Sequence, residues 1–152
     1  MASGTFKWFG LGLKNMALGN IAWETDTFKI MLTTSAYDPS AYQDIHEFRS
    51  EVSGEVLDGT GYTAGGATLG GATASYDATG NAVNLKAPDL VWADSTITNA
   101  RSAILYKDTL DAATDILVAY SIFDADVSSL TGTFTLNFDD EYGLLKLTAI
   151  GT

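Results

Sequence analysis

The chain has 152 residues, 46% hydrophobic and 18% charged, with a formal net charge of -11 and no cysteine. That is enough material for one domain with a sizeable core. The composition excludes disulfides and thiolate chemistry, and the scattered Lys and Arg residues give no cation stripe for nucleic acid or an anionic membrane. No apolar run approaches the roughly 20 residues that span a bilayer, so the chain is expected to be made in the cytoplasm and to bind neither membrane nor nucleic acid.

Residues 1–22 read as an N-terminal arm or a short helix ahead of a single domain at 23–152. WFGLGLKNMAL (8–18) has helical apolar content interrupted by two glycines, each costing about 1 kcal/mol relative to alanine. Phe6, Trp8 and Phe9 form an aromatic cluster, FKWF, beside Gly4, Gly10 and Gly12. Such a cluster either packs back onto its own domain or anchors another subunit, so these three are the partner-contact candidates.

TFKIMLTT (27–34) sets Phe28, Ile30 and Leu32 on one face and predicts a strand. SAYQDIHEF (40–48) follows an Asp38-Pro39 turn and places Ala41, Tyr42, Ile45 and Phe48 at helical spacing. GTGYTAGGATLGGATASY (59–76) is crowded with glycine, alanine and threonine. As a phosphate loop it fails, because it contains no lysine and its continuation is a poor helix. It reads instead as a loop entering a small-residue strand from Ala67 onward.

DATGN (77–81) is a turn before the strand AVNLK (82–86), which Pro88 closes. LVW (90–92) with Thr96, Ile97 and Thr98 predicts a short strand or extended crossing, and ARSAILYK (100–107) a further strand. DILVAYSIF (115–123) is apolar on both faces, as expected of a central strand covered on both sides. TGTFTLNF (131–138), the turn DDEYG (139–143) and LLKLTAI (144–150) predict a terminal β-hairpin.

Seven or eight short strands with one or two small helices predict a mainly β fold, an antiparallel β-sandwich or a jelly roll. Chemistry is thin. The single imidazole, His46, falls on the predicted helix beside Asp44 and Glu47, and no G-x-S-x-G elbow accompanies it. Asp108, Asp111 and Asp115 fall in one predicted loop, Asp124 and Asp126 in another, and Asp139, Asp140 and Glu141 in the hairpin turn. Such clusters match calcium only by ligand type, lack EF-hand spacing, and have an ordinary role as turn formers. Trp23 and Trp92 sit at the edges of apolar strands, where core packing explains them better than sugar stacking. No catalytic, cofactor or metal residue is assigned.

The order of segments resembles one known family. NIAWETDTFKIMLTTSAYDPS, DIHEF, EVSGEVLDGTGYTAGGATL, a D-x-x-G-N turn, LVWADSTITNARSAILYKDT and GTFTLNFDDEYGLLKLT together resemble small virion structural proteins of tailed bacteriophages, described as head decoration, cement or virion-associated proteins. The resemblance runs from about Gly19 to Thr148, with GYTAGG and VWADSTIT its most specific parts; FKWFGLGLK and GEVLD depart from it. It implies a β-rich protein on the capsid exterior that binds the major capsid protein, commonly as a homotrimer near local three-fold positions, and reinforces the expanded shell. It carries no catalytic or cofactor residue. A tail or head-fibre position, or a carbohydrate-binding adhesion module, is the alternative.

Overall fold

The computed structural model describes residues 2–3 and 5–149. Its strands are β1 (Ala2–Ser3), β2 (Lys7–Trp8), β3 (Phe28–Thr33), β4 (Ala67–Leu69), β5 (Thr73–Asp77), β6 (Ala82–Lys86), β7 (Leu90–Lys107), β8 (Ile116–Asn137) and β9 (Leu145–Thr148). The helices are α1 (Gly10–Ala17) and α2 (Pro39–Tyr42), with a 3-10 turn at Arg49–Glu51. A large sheet has the order β1-β8-β7-β3-β4, with β2 also on β8, and a small one has the order β5-β6-β9. All pairings are antiparallel except β1 with β8. The fold is mainly β, two antiparallel sheets with two short helices, as expected of a β-sandwich.

Alternation along β3 explains why the large sheet is covered twice. Phe28, Ile30 and Leu32 join a core with Leu69, Leu85, Leu105, Val118 and Leu145, which fills the space between the sheets. Met31 points the other way and packs with Phe9, Tyr37, Ile104, Tyr106, Leu117 and Tyr120 under α1 and the α2 region. Successive side chains of a strand face opposite sides, so a strand covered on both must be apolar throughout. The order is therefore helical layer, large sheet, small sheet.

The segment 100–107 pairs with both β3 and β8, and 117–121 is buried throughout, as a central position requires. The structure differs from expectation in continuity. LVW and ARSAILYK belong to one strand, β7, and DILVAYSIF and TGTFTLNF to another, β8. Asp124 and Asp126, expected in a loop, lie within β8. The pairing of β7 with β8 carries five register shifts, and Asp94, Asn99 and Thr131 adopt positive φ. Bulges of this kind bend a strand without ending it.

The bend is sharp. β1 holds Ser3 against Asn137, while β2 holds Lys7 against Tyr120. Four residue steps reach at most about 14 Å, whereas a straight strand from Tyr120 to Asn137 would run about 56 Å. β8 therefore folds back on itself, and the rings of Phe123 and Phe134 meet at 6.5 Å between centroids. The apex of this folded ribbon is 93–99 with 124–133, exposed or half-buried except at the buried Ser95 and Ile97.

The terminal hairpin is corrected. The DDEYG turn forms, with Asp139 opposite Gly143 and Asp139 Oδ1 accepting from the amides of Glu141 and Tyr142 at 2.8 and 2.6 Å. Its two strands, however, lie in different sheets, β9 pairing with β6 and β8 with β7. Leu144 and Leu145 thereby reach the core between the sheets. The same switch occurs within the glycine stretch, where the expected strand is divided into β4 in the large sheet and β5 in the small one. Ile150, the last residue of the expected strand, lies outside the described residues.

The N-terminal segment combines β1 and β2 on the large sheet with the helix α1, and Ile21 lies in the core. Gly12 turns toward β8, where a Cβ would overlap the carbonyls of Leu117 and Val118, so its helix penalty is the cost of close approach. The helix expected over 40–48 is shorter. Asp38 caps it by accepting from Ser40 N at 3.0 Å, with Pro39 in the first turn. The amides of Ile45 and His46 still turn back to Tyr42 O at 3.0 Å, but past His46 the backbone finds partners elsewhere: Glu51 accepts from the amides of Glu47 and Phe48 at 2.7 and 2.8 Å, and Phe48 bridges to Ile116.

Candidate interaction surface

The structure separates the three aromatic candidates. Phe6 is buried, edge-on to Phe138 at 5.8 Å. Phe9 is fully buried, its ring 5.1 Å from Tyr120 and its amide donating to Val118 O at 3.0 Å. Trp8 is half-buried, and its Nε1 donates to Lys146 O at 3.4 Å. Phe6 and Phe9 thus pack onto their own domain, the first of the two options the sequence offered. Trp8 alone keeps surface for a partner.

His46 is held by aromatic packing. Its ring stacks on Tyr42 at 4.4 Å and 6°, and Nδ1 lies 3.0 Å from the Tyr37 hydroxyl. Among the described residues no serine is bonded to it, and no group of three or more His, Asp or Glu side chains is placed to hold a metal ion. Of the loop aspartates, Asp115 is buried against Arg49 Nε at 2.6 Å, and Asp126 pairs with Arg101 at 2.7 Å near the apex. Trp23 and Trp92 are both 5% exposed, which removes their faces from any sugar platform.

The glycine stretch is tied down by hydrogen bonds rather than open to a ligand. Asp58 accepts from Ala64 N at 2.7 Å, and Glu55 from Gly65 N at 2.6 Å. Tyr62, at its centre, donates to Glu55 at 2.8 Å and accepts from Leu32 N at 3.0 Å. Burial pushes its phenol above the ordinary tyrosine range, so it stays protonated and keeps both bonds. Tyr62→Phe is expected to lower the unfolding free energy by about 1–3 kcal/mol, because it leaves the buried amide of Leu32 without its partner; urea denaturation measures this.

A groove of about 720 Å³ separates this loop from the apex of β7 and β8. Its walls carry Glu55, Asp58, Asp126 and threonine hydroxyls, with no aromatic ring. A second depression of about 570 Å³ lies beside Phe6, Phe138 and Tyr142. Among the described residues, no hydroxyl lining either one hydrogen-bonds to a carboxylate of the same lining.

Exposed apolar side chains also occur on the outer side of the helical layer. α1 runs alongside 43–47: Gly10 N donates to Gln43 O at 2.8 Å and Asn15 Nδ2 to Glu47 Oε1 at 2.9 Å. Together these segments expose Leu13 (41%), Leu18 (63%), Tyr42 (41%) and Ile45 (65%). Single exposed apolar residues are ordinary, but several on one layer mark an interaction site. The spacing predicts Ala41, Tyr42, Ile45 and Phe48 on one side of a helix; α2 ends at Tyr42, and Ile45 beyond it is 65% exposed. Comparison with protein-family models, curated proteins and solved structures finds no match for this chain.

Proposed function

We propose that this protein is a structural component of a tailed-phage virion, acting as a decoration or cement protein on the exterior of the assembled capsid. The observation that carries the reading is the exposed apolar surface of the helical layer, formed by Leu13, Leu18, Tyr42 and Ile45, on a domain with no assembled catalytic constellation among its described residues. Such a surface serves by being buried against a partner. The resemblance of the GYTAGG and VWADSTIT segments to phage virion proteins supports the major capsid protein as that partner.

On this reading the chain is a homo-oligomer, a trimer by analogy with the family it resembles. Copies distributed over a shell stiffen it even when each contact is modest, because linked contacts reinforce one another. Purified protein is expected to bind expanded capsids that lack it and to raise their disruption temperature. Failure to copurify with virions overturns the proposal.

A further inference from the structure

We infer that the helical layer docks a partner surface that is apolar at its centre and rimmed by Lys or Arg, and that this partner is not a second copy of the chain. The apolar part consists of Leu13, Leu18, Tyr42 and Ile45, from 41% to 65% exposed. The rim is acidic. Asp38 and Asp44 are exposed, and Glu47 is half-buried in the same segment.

Among the described residues, the layer sets against these carboxylates two cations that form no salt bridge, Lys14 on α1 and the exposed Lys7 of β2, which lies opposite Tyr120. Arg49 is engaged by Asp115 at 2.6 Å, and His46 is stacked between Tyr37 and Tyr42. Partners meet with complementary potentials, and like charges placed face to face oppose association.

A second copy fits badly. A two-fold contact sets the same patch against itself, so a second copy brings an equal excess of carboxylates, Asp38, Asp44 and Glu47 against Lys7 and Lys14. The whole chain repeats the point, with 8 Lys and Arg residues against 19 Asp and Glu. A foreign surface with a basic rim satisfies both the apolar centre and the charges. Contacts between copies then belong to other faces of the molecule. Identifying the foreign surface as capsid protein rests on the function proposed above; its chemistry does not.

The test is an amide NMR titration of the full chain with an amphipathic helical peptide of leucine and lysine, alongside a matched leucine–glutamate peptide. The lysine peptide is expected to perturb residues 10–18 and 42–47, and the glutamate peptide to leave them unchanged. Binding weakens by about tenfold in a Leu18→Ser, Ile45→Ser double variant and in Asp44→Lys. Both variants alter exposed side chains, and an unchanged melting temperature verifies that they fold. Perturbations spread over the acidic apex, an equal response to the glutamate peptide, or no response overturn the inference.

A second arm measures hydrogen exchange of the particle-bound protein. Protection at 10–18 and 42–47 supports docking through this face, and free exchange there with protection elsewhere overturns it. If the protein is absent from particles, the virion reading falls while the peptide titration still decides the surface.

Discussion

Arg49→Met is expected to destabilise the fold by about 3–5 kcal/mol, the usual result of stripping one partner from a buried ion pair. Asp115 has a fully buried side chain. It accepts from Arg49 Nε at 2.6 Å, from Thr109 N at 2.6 Å and from Thr109 Oγ1 at 2.9 Å. Arg49 O and N lie in the same junction, with Arg49 N donating to Asp115 O at 2.9 Å. The pair thus pins the 3-10 turn to the start of β8. Removing the guanidinium leaves a carboxylate with no counter-charge away from water. The double variant Arg49→Met, Asp115→Asn is expected to recover part of the loss, since the amide still accepts from Thr109 and carries no charge. Chemical denaturation of the four proteins in the cycle gives the coupling directly.

The same group sets a pH dependence. Burial by itself would raise the Asp115 pKa, but the Thr109 amide, the Arg49 guanidinium and the Thr109 hydroxyl outweigh it and hold the carboxyl below its ordinary range. A carboxylate depressed in the folded state stabilises above its unfolded pKa, about 3.9. That contribution is lost as pH falls through the lower folded value. The melting temperature of the wild type is therefore expected to drop below about pH 4, with a shallower drop in the double variant.

Gly66→Ala is the second large effect. Gly66 has φ +78° and follows a turn closed by its amide on Thr63 O at 2.9 Å. A Cβ there would overlap the carbonyl of Ile30 and press on the Met31 Cα. Both obstacles are backbone of β3, which is held on one side by β7 and on the other by β4. Neither side can give way. A left-handed conformation forced on alanine and an overpacked contact each cost about 1–3 kcal/mol. The variant is expected to lose about 2–6 kcal/mol of the roughly 5–15 kcal/mol that hold a domain folded, and calorimetry should show it melting far below wild type. Full stability would mean that the loop does not pack against β3 as described.

Sequence patterning disclosed those parts of the fold that depend on local periodicity. Phe28, Ile30 and Leu32 marked β3, and AVNLK after the DATGN turn marked β6. The two-sided apolar run 116–123 marked the centre of the large sheet. The long strands were concealed because their bends are made by Asp94, Asn99 and Thr131 at positive φ. Polar residues at such positions look like loops, and the apex 124–133 is exposed enough to have lost its alternation. The partner of β9 was hidden for a different reason. A turn specifies the path of four or five residues, whereas the sheet that each flanking strand joins is decided by long-range packing of Leu136 on one side and Leu145 on the other.

The candidate surface was half visible. FKWF announced an aromatic cluster, but a ring that anchors a neighbouring subunit and a ring that fills its own core have the same sequence signature. Phe6 and Phe9 take the second role. The exposed positions Leu18 and Ile45 carry no signal of their own, since one sits at a helix end and the other just beyond a helix that stops early at Tyr42. The Asp38 cap and Pro39 locate where α2 begins, and only the engagement of Glu47 and Phe48 by Glu51 explains where it cannot continue.

The most direct test of the account is an electron-microscopy map of the intact phage particle, compared with a particle from which this chain has been deleted. The account predicts difference density on the outside of the expanded capsid into which homo-oligomers of this fold dock, helical layer toward the shell. Difference density confined to the tail, or none, would contradict it.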